Sequence, residues 1–422
     1  MASELLDEIT ELEDPQVALR LLRACAGFAK VSYSMRCTPA LQHLESLQSF
    51  DKAVRSCFSG FAGMHPDAAQ WEQASLGFAQ AGLGLRSTAA HACAAYLASV
   101  GGCATACSIL DPQFASTPLE QDGHVLSSLA AFNQALPAAA QVPAASALSS
   151  KQKALSQSLD GAAFARRLEG ADTVDRATLL SEGELGARAF LAAVPHGQGR
   201  MEAAAFLSEL RQRLCMADAA EDSWCPKCDA VLDRRSIHPA LCVAGGERNL
   251  RHNALRNAVY RWGNRAGLSP ELEKPGLLLP QRPGDSHLGR RRPADVYLPA
   301  LAGVSSALDL AITAPQRMEH LAEAARRATS AAEAYASTKA THLGTARECE
   351  AQGVAYVPLV VETTGAWAPR AAGILKRVAR AAAARSGEEP GRTHAKLLQE
   401  LCVIVRGYRA RAVLRRRAEQ AA

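Results

Sequence analysis

The chain has 422 residues, a net charge of +5 and 48% hydrophobic residues, with aromatics supplying only 5%. That length and apolar content leave room for two or three domains with real cores, and wholesale disorder is not expected. The charge is modest, so binding to a polyanion has to be argued from local clusters. Residues 1–14 are acidic and carry no apolar signal core. Without such a signal, twelve cysteines in a chain this long read as reduced thiols plus a metal site.

In chain order, Asp14-Pro15 opens a helix in which Val17, Leu21, Leu22, Cys25 and Phe28 recur at helical spacing. Phe50, Val54, Phe58 and Phe61 repeat the pattern, and residues 1–135 are expected to be helical throughout. Residues 87–110 are uncharged and hold His91. They read as a packed helix pair broken at Gly101-Gly102, too weakly apolar to span a bilayer comfortably. Residues 136–160, rich in Ala, Ser and Gln around Pro137 and Pro143, are expected to be a linker. A helical segment follows over 161–214, then a Cys- and turn-rich piece over 215–246. Residues 247–388 are expected to form an α/β domain and 389–422 a basic C-terminal helix. Within the α/β domain the predicted elements are a basic helix over 247–266, strands at 277–279, 294–298, 307–313 and 356–361, and a long helix over 316–343. The fold class is therefore α+β: an all-helical first part, a small metal-bound segment, and a short mixed sheet flanked by helices.

Cys225 and Cys228 form C-x2-C, and His238 and Cys242 form H-x3-C, nine residues further on. Lone cysteines usually serve as small buried hydrophobes. Four soft ligands at this spacing point instead to a closed, structural Zn²⁺ knuckle with no open position for water. The metal would order a segment with too little core to order itself.

In 293–298, period two puts Pro293, Asp295 and Tyr297 on one face of a strand. In 308–312 it sets Asp309 and Ala311 opposite Leu308, Leu310 and Ile312. A hairpin between these strands would bring the two aspartates together. Asp is disfavoured in strands and costly to bury unpaired, so the pair asks for a hard cation such as Mg²⁺ shared with substrate phosphate. The other reading is that both simply end exposed edge strands.

Arg292-Pro293-Ala294-Asp295, thirteen residues, then Asp309 resembles the restriction-like (PD-D/ExK type) endonuclease of site-specific non-LTR retrotransposons. There the domain also follows a Cys-Cys-His-Cys knuckle. Residues 251–256 (Arg-His-Asn-Ala-Leu-Arg) and 356–365 are similar to that family, and residues 82–87 are similar to the region after its polymerase. The resemblance implies a Mg²⁺-dependent DNA endonuclease in the nucleus, with Asp295 and Asp309 as metal ligands, with DNA as partner and element RNA as a second candidate; no membrane is expected. The usual lysine two residues after the second carboxylate is here Ala311, and the resemblance offers Lys339, on the following helix, as its substitute. Leu321, Ala324, Ala325, Ala328, Ala332 and Tyr335 make an apolar stripe that Lys339 extends inward. An ordinary lysine complementing a helix C-terminus is the alternative. Glu362 could assist catalysis or serve as a structural acceptor; Glu271 and Glu273 are weaker candidates.

Arg248, Arg251, His252 and Arg256 on the basic helix, with Arg290, Arg291 and Arg292 before the first aspartate, are the candidate nucleic-acid contacts. Arg261 and Arg265 continue the first cluster, and Tyr260 and Trp262 within it could stack on bases. Arg406, Arg409, Arg411, Arg415, Arg416 and Arg417 form a further cluster, either a phosphate contact or a solvated face. The chain has no Asp-Asp pair and no polymerase palm, so it is expected to be the C-terminal piece of a larger protein or a degenerate copy. The alternative to an enzyme is a catalytically inactive nucleic-acid binder.

Overall fold

The computed structural model describes residues 2–111, 113–114, 118–280, 288 and 291–421. The chain divides into two compact units, Met1–Ala171 and Asp172–Ala422.

The described residues of the first unit are helical and contain no strand. The expected start at Asp14 is present: its carboxylate accepts the Gln16 and Val17 amides ahead of a helix that begins at Pro15. The helix pair expected over 87–110 is instead one helix, Thr88–Leu110. Gly101 does not break it. A Cβ there would lie 1.9 Å from the Leu148 carbonyl oxygen, so the glycine admits another backbone rather than a bend. By length and composition this helix is apolar enough to cross a membrane, more so than the sequence reading allowed. One side of its first half is buried, from Thr88 through His91 to Leu97, and His91 lies 3.2 Å from the Asp160 carboxylate.

The linker expected over 136–160 is likewise absent. Helices Ala144–Ser149 and Gln152–Glu169 occupy most of it. Their Leu148, Leu155 and Leu159 join Leu97, Val125 and Phe132 in a hydrophobic core of this unit. Pro137 and Pro143 mark turns between helices, and the close packing comes from the helix that follows, where Ala147 is buried.

The second unit is built on a four-stranded mixed sheet in the order β3-β4-β5-β6, where β3 is Glu271–Leu272, β4 Val296–Leu301, β5 Val304–Thr313 and β6 Ala355–Glu362. The first two pairings are antiparallel and β5–β6 is parallel. Three strands fall where alternation predicts them. The run at 277–279 does not form a strand; Leu277 and Leu278 are buried beside the sheet, while β3 forms at Glu271–Leu272. The β4–β5 turn is Ala302-Gly303, both at positive φ, as a two-residue hairpin requires. Pro299, which cannot donate to a ladder, sits in the irregular stretch between Leu298 and Leu301.

The long helix expected over 316–343 is two pieces, Leu321–Ala324 and Ser330–Thr341. Together with Thr345–Ala351 they make the crossover that a parallel pair needs. Ser330–Thr341 and Thr345–Ala351 also cover the face of the sheet that carries Tyr297, Ala307 and Tyr356, while Leu321–Ala324 packs against Ala177. The basic helix Glu247–Arg265 packs near the other face, with Gly263 against Leu298.

The C-terminal helix Pro390–Ala421 is not a basic appendage. Arg406, Arg409 and Arg416 are fully or almost fully buried. Arg406 and Arg213 share Glu182, and Arg406 and Arg409 share Glu209. Arg406 Nη1 lies 2.8 Å from Glu209, and its guanidinium lies 4.3 Å from the Phe190 ring centroid. Arg415 pairs with Glu247 at 2.7 Å, and Arg417 donates to Asp233 O at 2.8 Å. Neither reading of this cluster holds for Arg406, Arg409 and Arg416, whose charges hold the unit together; Arg411 and Arg415 stay on the exposed side.

Candidate metal and catalytic centres

The metal segment opens with a short hairpin, β1 (Ser223–Trp224) with β2 (Val231–Leu232), closed by the Cys225 amide donating to Ala230 O at 2.9 Å. Asp233 then organises the second half, accepting the Ile237 and His238 amides at 3.0 and 2.7 Å. This starts the short helix His238–Leu241, which delivers His238 and Cys242. The ligand atoms of Cys225, Cys228, His238 and Cys242 all lie within 4.8 Å of one another. Three soft sulfurs and an imidazole in that space fit a metal such as zinc. Leu232 is the only aliphatic side chain fully buried among them, so the segment has almost no core of its own.

Asp295 and Asp309 meet at the start of β4. The register pairs Val296 with Leu308, which sets Asp295 across from Asp309. The regular ladder ends there. The Asp295 amide donates to Leu308 O at 2.9 Å, and its carboxylate accepts the next amide, that of Leu310, at 2.7 Å. The other carboxylate oxygen lies 3.3 Å from His252 Nε2. Burial pushes this carboxyl up, but the hydrogen bond and charge of His252, the Leu310 amide and the charge of Lys339 outweigh it, and the carboxyl sits below its ordinary range.

Lys339 Nζ lies 2.6 Å from both oxygens of Asp309. The Tyr356 hydroxyl donates to one of the same oxygens. Burial, then the charge and hydrogen bond of Asp309, raise the Tyr356 hydroxyl far above its ordinary value. Tyr356 is buried, but His252 and Lys339 keep some exposure, and Asp295 and Asp309 are each 20% accessible. Two open hollows flank the Lys339–Tyr335 ridge. One, of about 410 Å³, is lined by Arg248, Asn249, Arg251 and His252; the other, of about 500 Å³, by Arg291, Arg292, Asp309, His342 and Tyr356.

Asp295, Asp309, Lys339 and His252 thus come together, and Arg248, Arg291 and Arg292 line the hollows beside them. Arg290 lies outside the described residues. Other expected site residues are elsewhere. Glu362 is four residues beyond Pro358, the β6 partner of Asp309, so it lies roughly 13 Å further along the strand. It is fully buried, accepting from Ser181 Oγ at 2.5 Å and from the Ala332 amide at 3.3 Å. Of its two readings, the structural acceptor matches this environment.

Arg251 is buried and donates to Ala240 O at 3.1 Å; burial, then the charges of Arg409 and Arg248, lower it to about 10. Arg256 pairs with Glu273. Trp262 is buried with its indole N–H on Glu400 at 2.8 Å, so it offers no face to a base. Arg251 and Trp262 hold the fold because their helix positions face inward, which a charge count does not register, whereas Arg256 is half-buried and shares the exposed Glu273 with Arg292. Tyr356 is the residue that sequence reading missed. Alternation puts it on one face of its strand, but which strand lies beside it is not encoded locally. No family model matches the chain, and no curated protein matches it.

Proposed function

We propose that the second unit is a Mg²⁺-dependent DNA endonuclease that nicks a phosphodiester, of retroelement origin, without polymerase activity and acting on nuclear DNA. The observation that carries this reading is the opposition of Asp295 and Asp309 across two paired strands, with the Lys339 ammonium on Asp309, between two hollows lined by arginines. Two partly exposed carboxylates are a fitting hard-oxygen donor set, and Mg²⁺ held there would neutralise phosphate charge and favour an attacking water. The remaining roles belong to the chain. His252 and the Leu310 amide fix Asp295, and Tyr356 orients Asp309. Lys339 supplies a cation at the phosphate, and Arg248, Arg291 and Arg292 hold the strand on either side. Zinc in the knuckle would be structural. Purified protein incubated with supercoiled plasmid should nick it with Mg²⁺ and not with EDTA. Asp309→Ala should abolish nicking with zinc content unchanged; nicking retained by that variant overturns the assignment.

A second reading, a catalytically inactive nucleic-acid binder, is favoured by one observation. Each aspartate already has internal partners, Lys339 on both oxygens of Asp309 and the Leu310 amide on Asp295. It predicts salt-sensitive DNA binding without metal-dependent cutting.

A further inference from the structure

The Cys225/Cys228/His238/Cys242 cluster has a neighbour that is not a ligand. Arg416, on the C-terminal helix, has a side chain that is 0% exposed. Its Nη2 donates to Ala244 O at 2.8 Å and its Nη1 to Ala412 O at 3.0 Å. Both are neutral acceptors. The carboxylate beside it, Glu247, is 3.6 Å away and is already bound by Arg415 at 2.7 Å. The guanidinium sits beside a metal ligand: Ala244 O takes both Arg416 Nη2, at 2.8 Å, and the Cys242 thiol, at 3.8 Å, and Arg416 Nε is buried without a hydrogen-bond partner among the described residues. A buried cation needs a buried anion, since one left unpaired costs several kcal/mol. Three thiolates and an imidazole around Zn²⁺ carry one net negative charge, which matches one guanidinium.

We propose that Arg416 is the counter-charge of the metal centre. It neutralises the thiolate cluster beside Cys242 from the far end of the chain, and so ties metal loading to docking of the C-terminal helix. The link extends to the basic helix, because Glu247 at its first turn is bound by Arg415 at 2.7 Å and lies 3.6 Å from Arg416. Outer-shell partners of metal ligands of this kind tune affinity by about 10- to 100-fold. The inference does not depend on nuclease activity.

The test measures zinc affinity of the full chain by competition with a chromophoric chelator. Arg416→Met should lower it by about 10- to 100-fold, and Arg416→Lys should recover part of that loss. Arg417→Met is the control, because Arg417 bonds Asp233 O and Ser236 Oγ of the same segment but no sulfur; it should leave affinity unchanged. With Co²⁺ in place of zinc, the sulfur-to-cobalt charge-transfer band should move in Arg416→Met and stay in Arg417→Met. Wild-type affinity in Arg416→Met, or equal losses in both methionine variants, overturns the proposal. Should Arg416→Met fail to fold, trypsin puts the same question to the wild type. Chelating the metal should open the bonds after Arg415, Arg416 and Arg417 while those after Arg406 and Arg409 stay protected. Cleavage that is unchanged, or that spreads through the whole helix, overturns it.

Discussion

Glu362 should make the second unit pH-sensitive in a defined direction. Its carboxyl is fully buried, and that burial raises it from its ordinary 4.5 to about 7. The Ser181 hydroxyl and the Ala332 amide pull it back only in part, and the charges of Glu184 and Glu333 push it further up. At about 1.4 kcal/mol per pH unit, the difference amounts to roughly 3 kcal/mol. The folded state holds this proton more tightly than the unfolded chain. The stabilisation is therefore complete below about pH 4.5 and is lost as pH rises to about 7. Glu362→Gln keeps the shape and has nothing to ionise, and its amide can donate to Ser181 Oγ while that hydroxyl donates to Thr364. Denaturant unfolding of wild type and Glu362→Gln, compared at matched pH values from 4.5 to 8, removes the titration of every other group. The variant should gain about 3 kcal/mol on the wild type across that range and then level off. A difference that does not change with pH would show that Glu362 ionises freely in the folded protein, and the reasoning would fail.

Two glycines one residue apart should respond oppositely. Gly101→Ala drives a methyl into the Leu148 carbonyl and should destabilise the first unit by about 1–3 kcal/mol. A Cβ on Gly102 meets nothing within 4 Å, so Gly102→Ala should stabilise by about 0.5–1 kcal/mol through helix propensity; thermal unfolding of both variants reads the contrast. In the second unit, Arg406→Met strands Glu182 and Glu209, both 0% exposed, and should cost about 3–5 kcal/mol in denaturant unfolding. A loss under 1 kcal/mol would mean that Arg213 and Arg409 suffice to neutralise both carboxylates.

What the sequence determined by itself is what depends on near neighbours. The metal cluster is legible because its four ligands lie within eighteen residues and a turn and one short helix suffice to gather them. The helix start at Asp14-Pro15 and three of the sheet strands are legible for the same reason: a cap and a period of two act over a few residues. The opposition of Asp295 and Asp309 followed from one short hairpin. What only the tertiary structure decided is where side chains with long reach end up. Lys339 comes to Asp309 across thirty residues and a broken crossover helix. Tyr356 joins them through a parallel register that no local pattern encodes. The arginines of the C-terminal helix read as a basic surface until buried Glu182 and Glu209, about two hundred residues away in sequence, claim them. A run of charge states how many cations there are. Their partners are fixed by which helices pack together, since a buried cation persists only where the fold brings an anion to it.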